Sequence, residues 1–457
     1  MKKISAPKRI RIGLAAIVFI LIGLAFLGLF PSATALLKIQ TAPSLLKTIA
    51  AFSIGTLVTF LVILFTTFLF GRFYCSVVCP LGISQDAIEF ITRQKSKQLP
   101  KHLAFPRALC LSVAIGLLLG GWTLGFKLLD PYSNFGRVFA SYGLGAILPI
   151  LIVIALTFWR KRFFCNAICP VGTMLGIVSR IGVFKLYITE KCIKCGRCVK
   201  ACNAGCIDIE NRRIDNARCV RCMNCLSACA MGAVQFGRKT TAPLPSTPNL
   251  EKRELLISIP IGLVGLGASA AVGHHFLKKL LDAKTSEAVA EEAEETLEAT
   301  PQFILPPGAG DVGRFATKCT ACLLCVHNCP SKIIKPSPSG YGFVTLNLEG
   351  GHCGYDCNRC SQICPTGAIQ PIPLEAKQKL RIAQASINYK NCKVFQEDEP
   401  CGKCAEVCPT KAITLRKTGA PKMTKNLCIG CGACQAICPQ KTITVSPIAK
   451  QEGVEEA

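Results

Sequence analysis

Four stretches of the chain run without a single charged residue: Gly13–Phe30, Ile49–Phe70, Ala108–Phe126 and Tyr142–Trp159. Each reaches about 18 residues or more, the length that crosses a hydrocarbon core. A helix of that length lying on a soluble core would show a polar stripe, and these show none. A fifth stretch, Leu255–Gly273, sits mid-chain inside "KRELLISIPIGLVGLGASAAVGHH" and is less apolar, with four Gly and Pro260. The pattern predicts an α-helical membrane unit of four spans over residues 1–183, and a fifth span within a linker at 241–276.

Charge refines this picture. Residues 1–254 hold 32 Lys and Arg against 9 Asp and Glu, while the rest of the chain is near balance. The basic residues cluster beside apolar spans, at the N-terminus, in 71–107 and again from Arg160 onward. That placement reads as cytoplasmic membrane flanks and excludes nucleic acid as the expected partner. It puts the N-terminus and the end of the fourth span in the cytoplasm of a bacterial-type membrane. The drop in charge after Gly273 fits passage outward, leaving residues 277–457 extracytoplasmic. "KRELL" is similar to a twin-arginine export signal, and "ASA" (268–270) offers a cleavage site. Residues 277–302, rich in Ala and Glu, read as a tether.

An internal repeat marks the four-span unit. "GRFYCSVVCPLG" (71–82) follows the second span and "KRFFCNAICPVG" (161–172) follows the fourth. Cysteines four apart share a helix face, and the Pro suits a helix start. The thiols Cys75, Cys79, Cys165 and Cys169 are candidates for a metal centre or a redox pair. Cys110, inside the third span, reads as packing.

The other cysteines form six quartets. They are Cys192, Cys195, Cys198 and Cys202; Cys219, Cys222, Cys225 and Cys229; Cys319, Cys322, Cys325 and Cys329; Cys353, Cys357, Cys360 and Cys364; Cys392, Cys401, Cys404 and Cys408; and Cys428, Cys431, Cys434 and Cys438. The last four end in Cys-Pro. Zinc ribbons need only two C-x-x-C knuckles, and disulfides across C-x-x-C would close tiny strained loops. Three close thiols and a fourth one turn later suit [4Fe–4S] clusters, six in all. No C-x-x-C-H occurs, which excludes a c-type haem site. No nucleophile–base set, phosphate-binding loop or nicotinamide fingerprint is present. His274 and His275 could serve a b-type haem but read as interfacial residues, and Cys206 is an extra thiol without a role.

Each pair of quartets resembles a two-cluster bacterial ferredoxin: Cys-rich loop, short hairpin, second Cys-rich loop, strand. Residues 1–240 resemble the ferredoxin-type membrane subunit of periplasmic nitrate reductase systems. The remainder, through "ILPPGAG" (304–310), resembles the exported ferredoxin-type subunit and is similar to a methylamine-utilisation ferredoxin-type protein. The resemblance implies α+β two-cluster modules at 184–240, 303–370 and 385–457, with a link at 371–384. It also implies exchanged ligation, in which Cys229 joins Cys192, Cys195 and Cys198, while Cys202 joins the second quartet. Cys329 with Cys364, and Cys408 with Cys438, would exchange likewise.

The expected function is membrane-anchored electron transfer from quinol, or a membrane quinol dehydrogenase, to an extracytoplasmic reductase or other redox protein. Alternatives are a maturation factor for a metalloenzyme and a ferredoxin:quinone oxidoreductase subunit. The chain is expected to be an electron-transfer subunit of an oxidoreductase rather than a stand-alone catalyst, with no catalytic residue of its own.

Overall fold

A computed structural model describes residues 6–45 (apart from 28, 30–33 and 42), 54–92, 104–120, 129–140, 143–238, 260–275 (apart from 261 and 273), 303–337, 343–396 and 400–451. The chain divides into two compact units, Met1–His275 and Phe276–Ala457. The tether at 277–302 and the "KRELL" stretch lie outside the described residues.

The first unit is built on helices α1 (Ala6–Phe26), α2 (Ile54–Phe70), α3 (Pro80–Thr92), α4 (Ala104–Leu119), α5 (Gly143–Trp159) and α6 (Pro170–Ile181). Among the described residues only α1, of 21 residues, is long and apolar enough to cross a membrane. It starts at Ala6, ahead of the expected stretch, and so takes Lys8, Arg9 and Arg11 into its first turns. Helices α2, α4 and α5 have 17, 16 and 17 residues, and residues 49–53, 121–126 and 142 of the expected stretches lie outside the described set. A further apolar helix, α7 (Gly262–Val272), falls within the mid-chain stretch. It packs on α4 through small residues: a Cβ at Gly116 would meet Ser269 Oγ at 1.9 Å, and one at Gly265 would meet Ser112 Oγ at 2.7 Å. His274 and His275 beyond it are exposed.

A small sheet module grows directly from α6. Strand β1 (Phe184–Ile188) pairs antiparallel with β4 (Val234–Arg238), with Ile188 opposite Val234. The hairpin β2 (Ile207–Asp208) and β3 (Arg213–Ile214) lies between them in sequence. Leu186 and Ile188 point inward with the period of two expected of a half-buried strand. The module sits on the end of α2, where Val183 N–H donates to Phe68 O at 2.9 Å and Phe184 stacks on Phe70.

The second unit contains two such modules. The first has the pair β5 (Ile334–Pro336) and β6 (Val344–Leu346). The second has β7 (Ala383–Ile387) with β10 (Ile443–Pro447), and the pair β8 (Ile413–Leu415) and β9 (Pro421–Met423). In the first, residues 304–310 run beside the core, with Leu346 N–H donating to Ile304 O and Gln370 N–H to Gly308 O, both at 2.8 Å. The buried Gln451 clamps this strap, accepting from Gly308 N–H at 2.9 Å and donating to Leu305 O at 3.1 Å. The strap is held from the far end of the chain.

Candidate functional site

The quartets share one backbone design. In four of them the residue two after the first cysteine and the residue directly after the second are left-handed: Lys194 and Gly196, Arg221 and Met223, Ala321 and Leu323, Gly430 and Gly432. In all six, the third residue after the last cysteine is left-handed too: Gly205, Gly232, Lys332, Gly367, Lys411 and Lys441. Side chains such as Leu and Lys visit this region at a cost, so the loop is held there by its surroundings. Successive N–H groups in such a turn converge on one side and form an anion-binding concavity. Several meet sulfur: Ala233 N–H donates to Cys229 Sγ and Ala412 N–H to Cys408 Sγ, both at 3.2 Å. Thr442 N–H reaches Cys438 Sγ and Ile369 N–H reaches Cys364 Sγ, both at 3.4 Å.

The thiols group across quartets. One cavity is lined by Cys202, Cys219, Cys222 and Cys225, and another by Cys329, Cys353, Cys357 and Cys360. A third is lined by Cys392, Cys401, Cys404 and Cys438, and a fourth by Cys408, Cys428, Cys431 and Cys434. Cys198 lies within electrostatic reach of Cys192 and Cys229, and Cys322 within reach of Cys319 and Cys364. Each set takes its fourth thiol from the other member of its pair. Among the described residues, no three Cys, His, Asp or Glu side chains close around a point that could hold one metal ion. A zinc tetrahedron needs four sulfurs at ~2.3 Å from one centre. A cubane asks less of the sulfurs, since each thiolate sits on its own iron.

Charge fits the same group. Arg72, Arg162 and Arg221 are the largest fully buried side chains. Arg221 donates to Phe70 O at 3.0 Å, Asn216 Oδ1 at 2.7 Å and Phe184 O at 3.1 Å, all neutral acceptors. Buried cations of this kind call for an anion nearby, which a thiolate-bound cluster is. Cys206 belongs here as well. Buried at the second set, its thiol lies 3.6 Å from Cys202 Sγ, and its hydrogen bond pushes the Cys219 thiol down to about 6 despite burial. Burial, with Cys202 and Asp86 adding to it, drives Cys222 up to about 12.

In the second unit two sets are adjacent. Cys353 N–H donates to Cys431 O at 2.8 Å. Between them lies Lys377, on the link helix Leu374–Lys379, 3% exposed and donating to Tyr355 O at 3.1 Å. The link at 371–384 is therefore more than a spacer, because it buries a cation between two thiol sets.

The repeated C-x-x-x-C-P motifs depart from one expectation. Cys75 and Cys79 do not share a continuous helix face. Cys75 lies in a single turn, Tyr74–Val77, and Cys165 in a π-helical turn, Phe164–Ile168. Pro80 and Pro170 then open α3 and α6, as the motif predicts. Sequence reading missed Asp86 on α3, which joins three partners. Arg11 Nη1 lies 2.9 Å from its carboxylate, Arg162 Nε 2.8 Å and Asn203 Nδ2 3.1 Å. Burial opposes its charge, but Arg162 and then Arg11 hold its carboxyl below the usual range.

Comparison with known proteins agrees with this chemistry. A model described as "4Fe-4S binding domain" matches residues 52–98, 142–189 and 360–382, and a second of the same description matches 189–205 and 216–232. Models described as "4Fe-4S dicluster domain" match 318–369 and 399–442. The ferredoxin-type protein NapF of Escherichia coli is 33% identical over 28% of this chain and 74% of its own length. The chain belongs to the ferredoxin-type polyferredoxin family. The polyferredoxin is also 30% identical to the methylamine utilization ferredoxin-type protein MauN of Paracoccus denitrificans, over 29% of this chain and 48% of MauN. To the ferredoxin-type protein NapH of Escherichia coli it is 30% identical over 29% of this chain and 47% of NapH. It thus spans about half the length of these two relatives. No solved structure matches it.

Proposed function

We propose that this polyferredoxin is a membrane-anchored wire of six [4Fe–4S] clusters that carries electrons from quinol to an extracytoplasmic redox partner. Each cluster would be held by three thiols of one quartet and one of its pair, as grouped above, in modules at 184–240, 303–370 and 385–457. When bound, such clusters supply one-electron transfer. The chain's own part is to ligate, space and charge-balance them. The observation that carries the reading is the adjacency of thiol sets, above all Cys353 against Cys431, with Lys377 buried between.

Membrane anchoring is supported by helices whose apolar side chains lie bare. Ile54 is 78% exposed and Phe65 61% on α2, and only 28% of the most apolar window of α1 is buried. The close approach of α7 to α4 through Gly and Ser is the packing that membrane helices favour. The proposed anchor has four spans over 1–183 and a fifth at Leu255–Gly273, with residues 277–457 outside. A quinol headgroup has polar partners to meet near the C-x-x-x-C-P thiols. The Tyr74 hydroxyl donates to Gln40 Oε1 at 2.6 Å, and the buried Gln85 amide has no hydrogen-bond partner among the described residues.

The test is anaerobic addition of a menaquinol analogue to oxidised protein in detergent, read by bleaching of the visible absorption. Bleaching is expected, together with activity of an extracytoplasmic reporter fused after Ala457. Full reduction by dithionite with none by quinol would favour a maturation role.

A further inference from the structure

Each C-x-x-x-C-P repeat carries only two thiols, too few to saturate a cluster, and each is matched separately by a family model. The fold brings the two pairs together. Cys75, Cys79, Cys165 and Cys169 are 4–5% exposed and belong to one core. Cys165, Cys79 and Cys75 all lie within electrostatic reach of Cys169. The same core contains Cys202, Cys219, Cys222 and Cys225 of the second thiol set.

The two repeats are cross-braced. Arg72, from the first, donates to Cys165 O at 2.9 Å and Asn166 Oδ1 at 2.9 Å in the second. Arg162, from the second, donates to Cys75 O at 3.1 Å in the first. The third residue after each second cysteine is glycine for a shared reason: a Cβ on Gly82 would lie 2.2 Å from Cys75 O, and one on Gly172 2.5 Å from Cys165 O. Gly172 N–H, in the first turn of α6, donates to Cys169 Sγ at 3.3 Å. The arrangement has an approximate two-fold character, with an arginine, two thiols and a helix start from each side.

The electrostatics ask for an anion. Arg162 has Asp86 as its counter-ion, but Arg72 has none. Its remaining partners are Ala217 O at 3.3 Å, Arg218 O at 3.4 Å and Cys75 Sγ at 3.9 Å. Among the described residues no carboxylate pairs with it, although it is fully buried. A buried guanidinium facing only neutral groups is costly unless negative charge arrives. Cys165 of the repeats and Cys219 of the second thiol set both lie within its electrostatic reach, so thiolates of these four cysteines on a metal cluster would share that role with the second set. Among the described residues the four form no group that closes around a single ion, as is also true of the six quartets.

We propose that Cys75, Cys79, Cys165 and Cys169 form one shared site for an iron–sulfur cluster, a seventh, distinct from the six quartets. The inference rests on the cluster-binding reading above. It places a one-electron carrier between the helical part of the unit and the Cys202, Cys219, Cys222 and Cys225 set. Electrons would cross singly, with no bond made or broken.

Iron and acid-labile sulfide in the anaerobically purified full chain, with Mössbauer spectra of the same sample, test this. Seven clusters give about 28 irons per chain and six give about 24. Because the site is shared, Cys75→Ser alone or Cys165→Ser alone should each remove the whole increment, while a second loss in the double variant should be nil. The unmodified protein decides the count even if a variant fails to assemble. About 24 irons in the wild type, or equal iron in wild type and variants, overturns the inference while leaving the six-cluster reading intact. A disulfide between any two of these thiols in the purified protein overturns it as well. Absence of iron throughout would instead sink the reading on which it rests.

Discussion

Replacing Cys438 with serine is expected to empty the site built on Cys392, Cys401 and Cys404, rather than the site of the C-x-x-C-x-x-C run that precedes it. The cavity lined by those three thiols takes its fourth from Cys438, whereas Cys428, Cys431 and Cys434 take theirs from Cys408. The reciprocal change, Cys408→Ser, should therefore damage the other site. The structural cost should be large. Strands β8 and β9 have three residues each, and the module around them is small. In such domains metal binding contributes much of the folding energy. Cluster-specific electron paramagnetic resonance separates the two sites. Loss of the Cys428, Cys431 and Cys434 signal in Cys438→Ser, with the other retained, would show that ligation is not exchanged. The pair at Cys192–Cys229 should be untouched in both variants.

The second large effect is expected at Asp86. Its carboxylate is the counter-ion of Arg162, whose side chain is wholly buried, and of Arg11, which is 9% exposed. Asp86→Asn removes the negative partner and leaves both guanidiniums in place, a loss of about 3–5 kcal/mol for breaking a buried pair. Thermal unfolding in detergent should show it. Because the folded state holds this carboxyl below its usual range, its stabilising contribution is full above the ordinary carboxylate value. It is lost as the pH falls through the lowered one. The wild type should therefore weaken in acid where Asp86→Asn does not. Equal stability of the two at neutral pH would remove Asp86 from the account.

What the sequence made legible follows from local chemistry. Most of the quartets, the hairpins and the strands after Cys229 and Cys438 are written in short spacings, and the chain folds them locally. The strand expected after Cys364 does not form, residues 365–369 being turns and bends. The helix starts at Pro80 and Pro170 were legible for the same reason. Partners far apart in sequence were not. Arg72 meets Cys165 across 93 residues and Asp86 meets Arg162 across 76, so neither pairing has a local signal. Lys377 reads as one more basic residue on a polar helix, and only tertiary packing buries it between two thiol sets. The left-handed residue three positions after each last cysteine did leave a trace. It is Gly or Lys in all six quartets, a regularity visible only once the backbone gives it meaning. The start of α1 went the other way: charge seemed to exclude Lys8, Arg9 and Arg11 from the helix, but Arg11 gains Asp86 as a partner there.

The most direct test is the metal content of the full chain purified without oxygen. The account predicts iron and acid-labile sulfide in equal amounts, at least about 24 of each per chain, with broad visible absorption that bleaches on reduction. Zinc bound in place of iron, with no labile sulfide and no visible band, would contradict it.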